Sequence, residues 1–209
     1  MSVLICALLA GVAAWALTGF MRRSATSDAR ILRSWVHVPV AAVLGGLAGL
    51  ASSWAEMLAF VVLAVGAGLL VVVDFAEERL PDVIVLPLLG ATPVLLTIAA
   101  WTTGAWGSLV RALVAAVALF VLYFVMAYFS PDLGFGDVKL IAVAGLFLGW
   151  FGWGAVVLGA CLGWVTYSVP GFVRMFTARK GERGSLPLGP FIILGAVLGV
   201  FWAGAFLPW

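Results

Sequence analysis

Apolar residues fill long runs of this chain, and polar residues occur mainly in short stretches between them. A transmembrane helix needs about 20 mostly apolar residues, and about eight runs approach that length. The predicted spans are Val3–Phe20, Trp35–Trp54, Leu58–Asp74, Val83–Trp101, Ser108–Phe129, Asp137–Trp150, Ala155–Val173 and Pro187–Leu207. The sixth run is short, but the glycines and tryptophans at 149–154 favour a break before the seventh. We therefore predict an all-α, polytopic membrane helix bundle that forms a single integral-membrane domain over residues 1–209.

Basic residues are concentrated on one side of these predicted spans. Arg111 is the exception, and the others fall in odd-numbered loops: Arg22, Arg23, Arg30, Arg33, Arg79, Lys139, Arg174, Arg179, Lys180 and Arg183. Loops rich in lysine and arginine face the cytoplasm, so both termini are expected on the other side. The same counting places Asp74 and Asp137 together at the cytoplasmic edge of the bilayer.

The composition supports a lipid environment. The chain has 209 residues, of which 65% are hydrophobic and 10% charged, and its mean hydropathy is +1.23. A soluble domain does not carry that much apolar surface. The net charge is only +2 and the basic residues are scattered, so we do not expect a nucleic-acid partner. Cys6 and Cys161 both lie in apolar runs, so we expect neither a disulfide nor a metal pair.

Small residues recur at four-residue spacing in several of the predicted helices. The pairs are Gly45 with Gly49, Gly145 with Gly149, Gly159 with Gly163, and Gly195 with Gly199. This spacing lets helices approach closely in lipid. We interpret it as packing within one bundle rather than as a dimer face, and it leaves the oligomeric state undefined.

Two aspartates interrupt the apolar pattern at its edges. Asp74 ends the apolar run 70–73, and Asp137 follows the turn 134–136 and precedes the next run. An ionisable residue at the edge of a span is costly and is a functional-site hypothesis by default. Asp137 has an alternative interpretation as a helix N-cap. Asp74 does not fit such an interpretation, because it lies at the C-terminal end of its helix, where the dipole opposes a negative charge.

Two carboxyl groups that meet can share one proton, and we hypothesise that Asp74 carries it in the resting state. Such a pair suits an aspartic protease, in which one carboxylate activates water and the other acid assists the peptide carbonyl. This chemistry needs no metal or other cofactor. The chain has one histidine, His37, so it lacks a zinc-binding histidine pair, and it has no Gly-x-Ser-x-Gly sequence. We expect a structural or interfacial role for His37.

Several short motifs closely resemble the type IV prepilin peptidase family, a family of GxGD-type intramembrane aspartic proteases. They are the sequence Leu-Pro-Asp after the first aspartate, Gly-Phe-Gly-Asp-Val-Lys-Leu around the second, and Pro-Leu-Gly-Pro near the end. Their residues are Leu80, Pro81, Asp82, Gly134, Phe135, Gly136, Asp137, Lys139, Pro187, Gly189 and Pro190. The resemblance implies that Asp74 and Asp137 are the catalytic pair and that the other residues form the active-site loop or bind substrate.

The resemblance also implies the substrate and the membrane. The family cuts the short basic leader of prepilins and pseudopilins at the cytoplasmic face of the bacterial or archaeal cytoplasmic (inner) membrane. The acidic residues Glu77, Glu78 and Asp132 either attract that leader or are merely solvated loop charges. Bifunctional members also methylate the product and carry an insertion with Cys-x-x-Cys pairs. The first loop here, Met21–Ser34, has no cysteine, so we expect no zinc site and no methyltransferase activity.

Other functions remain open at this point. The presenilin-like branch of GxGD proteases ranks lower, because Asp74 follows Val73 rather than tyrosine and the chain has no Pro-Ala-Leu sequence. A small proton-coupled transporter would use buried carboxylates as a relay, but nearer the middle of the membrane. A catalytically inactive scaffold for pilus or secretion assembly would keep both aspartates while blocking access to them.

Overall fold

The computed structural model describes residues 1–27, 29–130, 133–177 and 186–204, and nearly all of them are helical. The helices are α1 (Ser2–Ala16), α2 (Thr18–Ser24), α3 (Arg30–Arg33), α4 (His37–Ala48), α5 (Trp54–Glu77), α6 (Asp82–Thr103), α7 (Trp106–Phe129), α8 (Phe135–Phe151), α9 (Trp153–Thr177) and α10 (Gly189–Trp202). These ranges contain no strand, so the predicted all-α fold is confirmed.

Four of these helices are long and apolar enough to cross a membrane. They are α5, α6, α7 and the Trp153–Val173 part of α9. Together α1 and α2 pass the same test as a bent pair. Helices α4 and α10 are apolar but have only 12 and 14 residues. Among the residues that the structure describes, four or five spans are thus supported. The count of eight and the side of each terminus stay predictions.

The first two predicted spans differ from the observed helices. The first is broken at Leu17, where α1 and α2 meet at a bend of 49°. Beyond the bend, the Thr18 hydroxyl lies 2.7 Å from the carbonyl oxygen of Trp15 and 2.8 Å from Nε2 of His37. His37 is fully buried at the start of α4. Hydropathy does not reveal such contacts between distant residues, so the prediction for the first span did not include the bend. The second predicted span is longer than α4 at both ends.

The predicted break between the sixth and seventh spans is confirmed. Helix α8 ends at Phe151 and α9 begins at Trp153. The residue between them, Gly152, has φ of 153°, a backbone conformation that L side chains rarely adopt. Two helices therefore replace the single long bent helix that hydropathy alone would also permit.

The small-residue pairs lie where helices cross within the chain. A Cβ atom placed on Gly149 would lie 2.6 Å from Cα of Ala112, and one on Gly145 would lie 2.7 Å from Cα of Ala116. These contacts join α8 to α7, and similar close approaches join α4 to α1 and α10 to α9. Intramolecular packing, as predicted, accounts for these glycines.

The end of α5 positions the site. Helix α5 begins with a capping box formed by Ser53 and Glu56, and it ends at Glu77. Glu78 adopts a left-handed conformation with φ of 52°, and its N–H donates to the carbonyl oxygen of Asp74 at 2.8 Å. The chain then turns through residues 79–81 into α6. The C-terminal end of α5 therefore lies beside the N-terminal end of α6.

Candidate active site

Asp74 lies in the last turn of α5 and is almost completely buried, with 2% of its surface exposed. Its Oδ2 atom accepts a hydrogen bond of 2.8 Å from the N–H of Gly189, the first residue of α10. A helix N-terminus carries partial positive charge and favours a nearby anion. The unfavourable dipole of α5 at Asp74 is therefore opposed by the favourable dipole of α10, which the sequence alone did not reveal.

Asp137 lies in the first turn of α8, and Gly134, not Asp137, is the N-cap of that helix. No side chain caps α8, so the alternative interpretation of Asp137 as an N-cap is wrong. Its Oδ1 atom is buried and has no hydrogen-bond partner among the residues that the structure describes. Most buried polar atoms are paired, so this oxygen is an exception.

The two aspartates line the same cleft, whose volume is about 610 Å³. The other residues of its wall are Ser24, Thr26, Glu77, Glu78, Arg79, Leu80, Pro81, Asp82, Gly134, Phe135, Gly136 and Lys139. The structure thus brings together residues from the first loop, the α5–α6 turn and the start of α8. This arrangement is suited to acid–base chemistry by two carboxyl groups.

Gly136 allows the α5–α6 turn to pack directly on the start of α8. A Cβ atom at Gly136 would lie 2.8 Å from Cβ of Leu80 and 3.3 Å from its carbonyl oxygen. Leu80 is buried. A larger residue at Gly136 would push the two segments that carry the aspartates apart.

Lys139 and Asp82 form an ion pair across the same two segments. The Lys139 Nζ atom lies 2.6 Å from Oδ1 of Asp82 and 4.9 Å from the ring centre of Phe135. Asp82 is more than half exposed, whereas Lys139 is largely covered. The contact joins α6 to α8 at the rim of the cleft rather than at the carboxyl pair.

In the Pro-Leu-Gly-Pro motif, Gly189 is the residue that contacts Asp74. A Cβ atom there would lie 2.7 Å from Oδ2 of Asp74, so the site needs a residue without a side chain. Pro190 occupies the first turn of α10, where its missing N–H costs nothing. Pro187 is buried. The two prolines shape the entry to α10, and neither is part of the cleft wall.

Glu77 makes contacts that sequence reasoning missed. Its Oε1 atom accepts hydrogen bonds from the backbone N–H groups of Thr26 and Ser27, at 2.5 and 2.7 Å. Its Oε2 atom accepts from the Thr26 hydroxyl at 3.1 Å. Glu77 is therefore not merely a solvated loop charge. The partners are about fifty residues apart, and no local pattern signals such a pairing. Of the other acidic candidates, Glu78 lines the cleft and Asp132 lies outside the described residues.

Another cavity, lined by apolar side chains, adjoins this region. Leu44 of α4, Ile193 of α10 and side chains of α5 and α8 line it. Leu70 and Leu140 also line it. They lie about one helical turn from Asp74 and Asp137 respectively. The aspartates thus line the polar cleft, and the apolar cavity begins about one helical turn from each of them.

No group of three or more histidine, cysteine or acidic residues in the described part of the chain could hold a metal ion. Cys6 is buried and Cys161 is exposed, and both are free thiols.

Comparison with known proteins identifies the family. The model of the type IV leader peptidase family matches residues 61–169, a range that includes both aspartates. The chain belongs to the type IV leader peptidase family. Curated relatives are named prepilin leader peptidase/N-methyltransferase. The one from Burkholderia pseudomallei strain 1026b is 32% identical over 140 residues, which are 64% of this chain and 43% of that protein.

Two further relatives of this family agree with that match. The protein of the same name from Pseudomonas aeruginosa is 31% identical over 137 residues, which are 62% of this chain and 44% of that protein. The one from Legionella pneumophila is 27% identical over 146 residues, which are 67% of this chain and 48% of that protein. This member of the type IV leader peptidase family thus spans less than half the length of these relatives. No solved structure matches it.

Proposed function

We propose that this protein is an aspartic peptidase that cuts the basic leader of prepilin or pseudopilin-like proteins. One observation carries the proposal: Asp74 and Asp137, both inside the family match, line one cleft. Membership of a peptidase family supports the reaction class. We place the cut at the cytoplasmic face of the cytoplasmic (inner) membrane, following the positive-inside count.

In the proposed mechanism, Asp137 is the base and Asp74 the acid. Asp137 takes a proton from a water molecule, whose oxygen attacks the peptide carbonyl carbon. Asp74 gives its proton to the carbonyl oxygen. When the C–N bond breaks, Asp137 returns its proton to the leaving amine, and the carbonyl oxygen returns the other proton to Asp74. Both carboxyl groups end as they began, and no covalent intermediate forms.

The contacts of each aspartate support this assignment. Asp74 accepts the Gly189 N–H at Oδ2, so we assign its mobile proton to Oδ1. Asp137 has a buried Oδ1 without a partner in the described ranges, as a base that waits for a water molecule requires. Gly134 has no side chain beside Asp137; a Cβ atom there would lie 3.2 Å from Oδ2 of the aspartate.

The surroundings of the pair suit the proposed substrate. Five acidic and two basic side chains line the cleft, and this negative balance favours a basic leader. The adjacent apolar cavity has a volume of about 100 Å³, which favours an apolar side chain directly after the cut. A chain that changes from basic to apolar at the scissile bond would match both surfaces at once.

A cleavage assay tests the proposal. Purified protein in proteoliposomes would receive a substrate with a basic leader followed by an apolar helix, and mass spectrometry would locate the cut. We expect cleavage between the leader and the helix by the wild type, and loss of cleavage in Asp74→Asn and in Asp137→Asn. Undiminished cleavage in either variant would remove that residue from catalysis.

The same proteoliposomes also test the alternative functions of transporter, scaffold and methyltransferase. Absence of cleavage by a folded wild type across several leaders would contradict the peptidase proposal. Proton flux that falls in the aspartate variants would then indicate a transporter, and absence of both activities would indicate a scaffold. Transfer of a labelled methyl group from S-adenosylmethionine to the product would overturn our expectation that methylation is absent.

A further inference from the structure

The first loop forms one side of the cleft that contains the aspartates. Ser24 and Thr26 line this cleft together with Asp74 and Asp137. Residues 24–27, which we call the loop wall, are the last residue of α2 and the three residues after it. A polypeptide that reaches the aspartates through the cleft would pass beside the loop wall.

Glu77 ties the loop wall to the helix that carries Asp74. Three donors of Thr26 and Ser27 bind the Glu77 carboxylate, two of them backbone N–H groups. Hydrogen bonds to a charged carboxylate are stronger than those between neutral groups. Glu77 is three residues after Asp74, so both side chains lie on neighbouring positions of one helix face. The position of the loop wall is thus coupled directly to that of Asp74.

The rest of the first loop is held by other contacts. The Arg22 side chain donates from Nε to the carbonyl oxygen of Leu32 at 3.1 Å and from Nη2 to that of Arg33 at 3.2 Å. Leu32 is buried, and α3 packs against α5. These contacts fix the start and the end of the loop, whereas Glu77 binds the segment between them that faces the cleft.

We propose that Glu77 is a positioning residue that holds the loop wall in place and thereby sets the affinity of the site for its polypeptide substrate. The inference rests on the proposed peptidase function. It differs from direct attraction of a basic leader by the charge of Glu77, because the carboxylate oxygens are already occupied by loop donors. Glu77 acts through the loop and does not touch the reacting atoms.

Two substitutions at Glu77 separate these roles in the cleavage assay. Glu77→Ala removes every acceptor, and we expect KM to rise about fivefold or more while kcat stays within about twofold. Glu77→Gln removes the charge but keeps an oxygen for both N–H groups, so we expect most of the wild-type KM to be retained. Thr26→Val removes only the hydroxyl contact and is the matched intermediate variant. Equal losses in Glu77→Gln and Glu77→Ala would indicate direct charge attraction and overturn the proposal.

A second readout does not depend on peptidase activity. Trypsin would be added to the folded protein, and cleavage after Arg23 and Arg30 would be followed by mass spectrometry. Release of the loop wall in Glu77→Ala should raise this rate about tenfold, with little change in Glu77→Gln. A rise in the trypsin rate without a rise in KM would make Glu77 purely structural, and a rise in KM without loop release would make it a substrate contact. Either result overturns the proposal. If the wild type cuts no leader, the peptidase function fails, while the trypsin rates still show whether Glu77 holds the loop.

Discussion

Helix α5 carries Glu56 in its first turn and Asp74 in its last turn, and these two acids are held very differently. Glu56 lies in the first turn, where its Oε2 atom accepts the N–H groups of Ser52 and Ser53 at 2.9 and 3.1 Å. Its Oε1 atom accepts from the indole N–H of Trp150 at 3.1 Å. Asp74 lies in the last turn, and its Oδ2 atom accepts a hydrogen bond from the N–H of Gly189.

The contacts and positions of Glu56 and Asp74 distinguish a structural acid from a reactive one. Glu56 lies at the N-terminal end of α5, where the helix dipole favours a negative charge. Both of its carboxylate oxygens accept hydrogen bonds from groups that hold the fold together. Asp74 is where the dipole of its own helix opposes the charge, it is buried, and it shares a cleft with a second acid. We infer that Glu56 stabilises the bundle and that Asp74 acts in the reaction.

Substitution of these two acids should have the most unequal consequences for the cleavage rate. Asp74→Asn should lower the cleavage rate by about 10²–10⁴, the usual contribution of an acid or base in catalysis. Glu56→Gln should leave that rate within about threefold, because it removes a charge far from the cleft. Initial rates per folded molecule measure both. A similar loss of cleavage rate in both variants would mean that activity is lost because α5 is disturbed, rather than because the Asp74 carboxyl group is removed.

A smaller effect should follow from crowding Asp74. Gly189→Ala places a Cβ atom 2.7 Å from Oδ2 of Asp74, so the carboxyl group or α10 must shift. We expect a loss of about tenfold in kcat, because small misplacements of a reacting group are costly. Gly90→Ala is the matched control, since nothing lies within 4 Å of a Cβ atom there. Equal activity of the two variants would show that α10 does not constrain Asp74.

Glu56 should matter for stability instead. Glu56→Ala leaves the N–H groups of Ser52, Ser53 and Trp150 without their acceptor, and the free energy of unfolding should fall by about 1–3 kcal/mol. Glu56→Gln should lose less, because an amide oxygen still accepts. Reversible unfolding in detergent measures both. An unchanged stability in Glu56→Ala would contradict the structural role given to this acid.

The smallest effect concerns the ion pair at the rim of the cleft. Lys139→Gln breaks the contact with Asp82, which is more than half exposed. Such pairs contribute about 0–1 kcal/mol, so the melting temperature should change little. Asp82→Asn should behave in the same way. A large destabilisation in either variant would show that the polar rim, and not only the Glu56 end, holds the bundle together.

The elements that could be predicted are those with a local signal. Hydropathy located the helices, and glycine and tryptophan at 149–154 indicated the break at Gly152. Counting the predicted spans placed Asp74 and Asp137 at one depth, and the structure brings both into one cleft. Their chemistry could be proposed because acids are rare in this chain and stand out against apolar runs.

The features that were missed depend on contacts between distant segments. The bend at Leu17 is accompanied by the contact between Thr18 and His37, and the anchoring of the first loop depends on Glu77. The Gly189 N–H that binds Asp74 comes from a helix 115 residues later. Sequence reasoning considered only the dipole of the helix that carries Asp74, and so it missed the dipole that opposes it.

The central claim is that Asp74 and Asp137 act as one unit, and a double-mutant cycle of cleavage rates tests it most directly. Single-turnover rates would be measured for the wild type, Asp74→Asn, Asp137→Asn and the double variant. Residues that act as a unit are strongly non-additive, so each single variant should lose about as much as the double variant. Losses that multiply in the double variant, or a single variant that keeps the wild-type rate, would contradict the account.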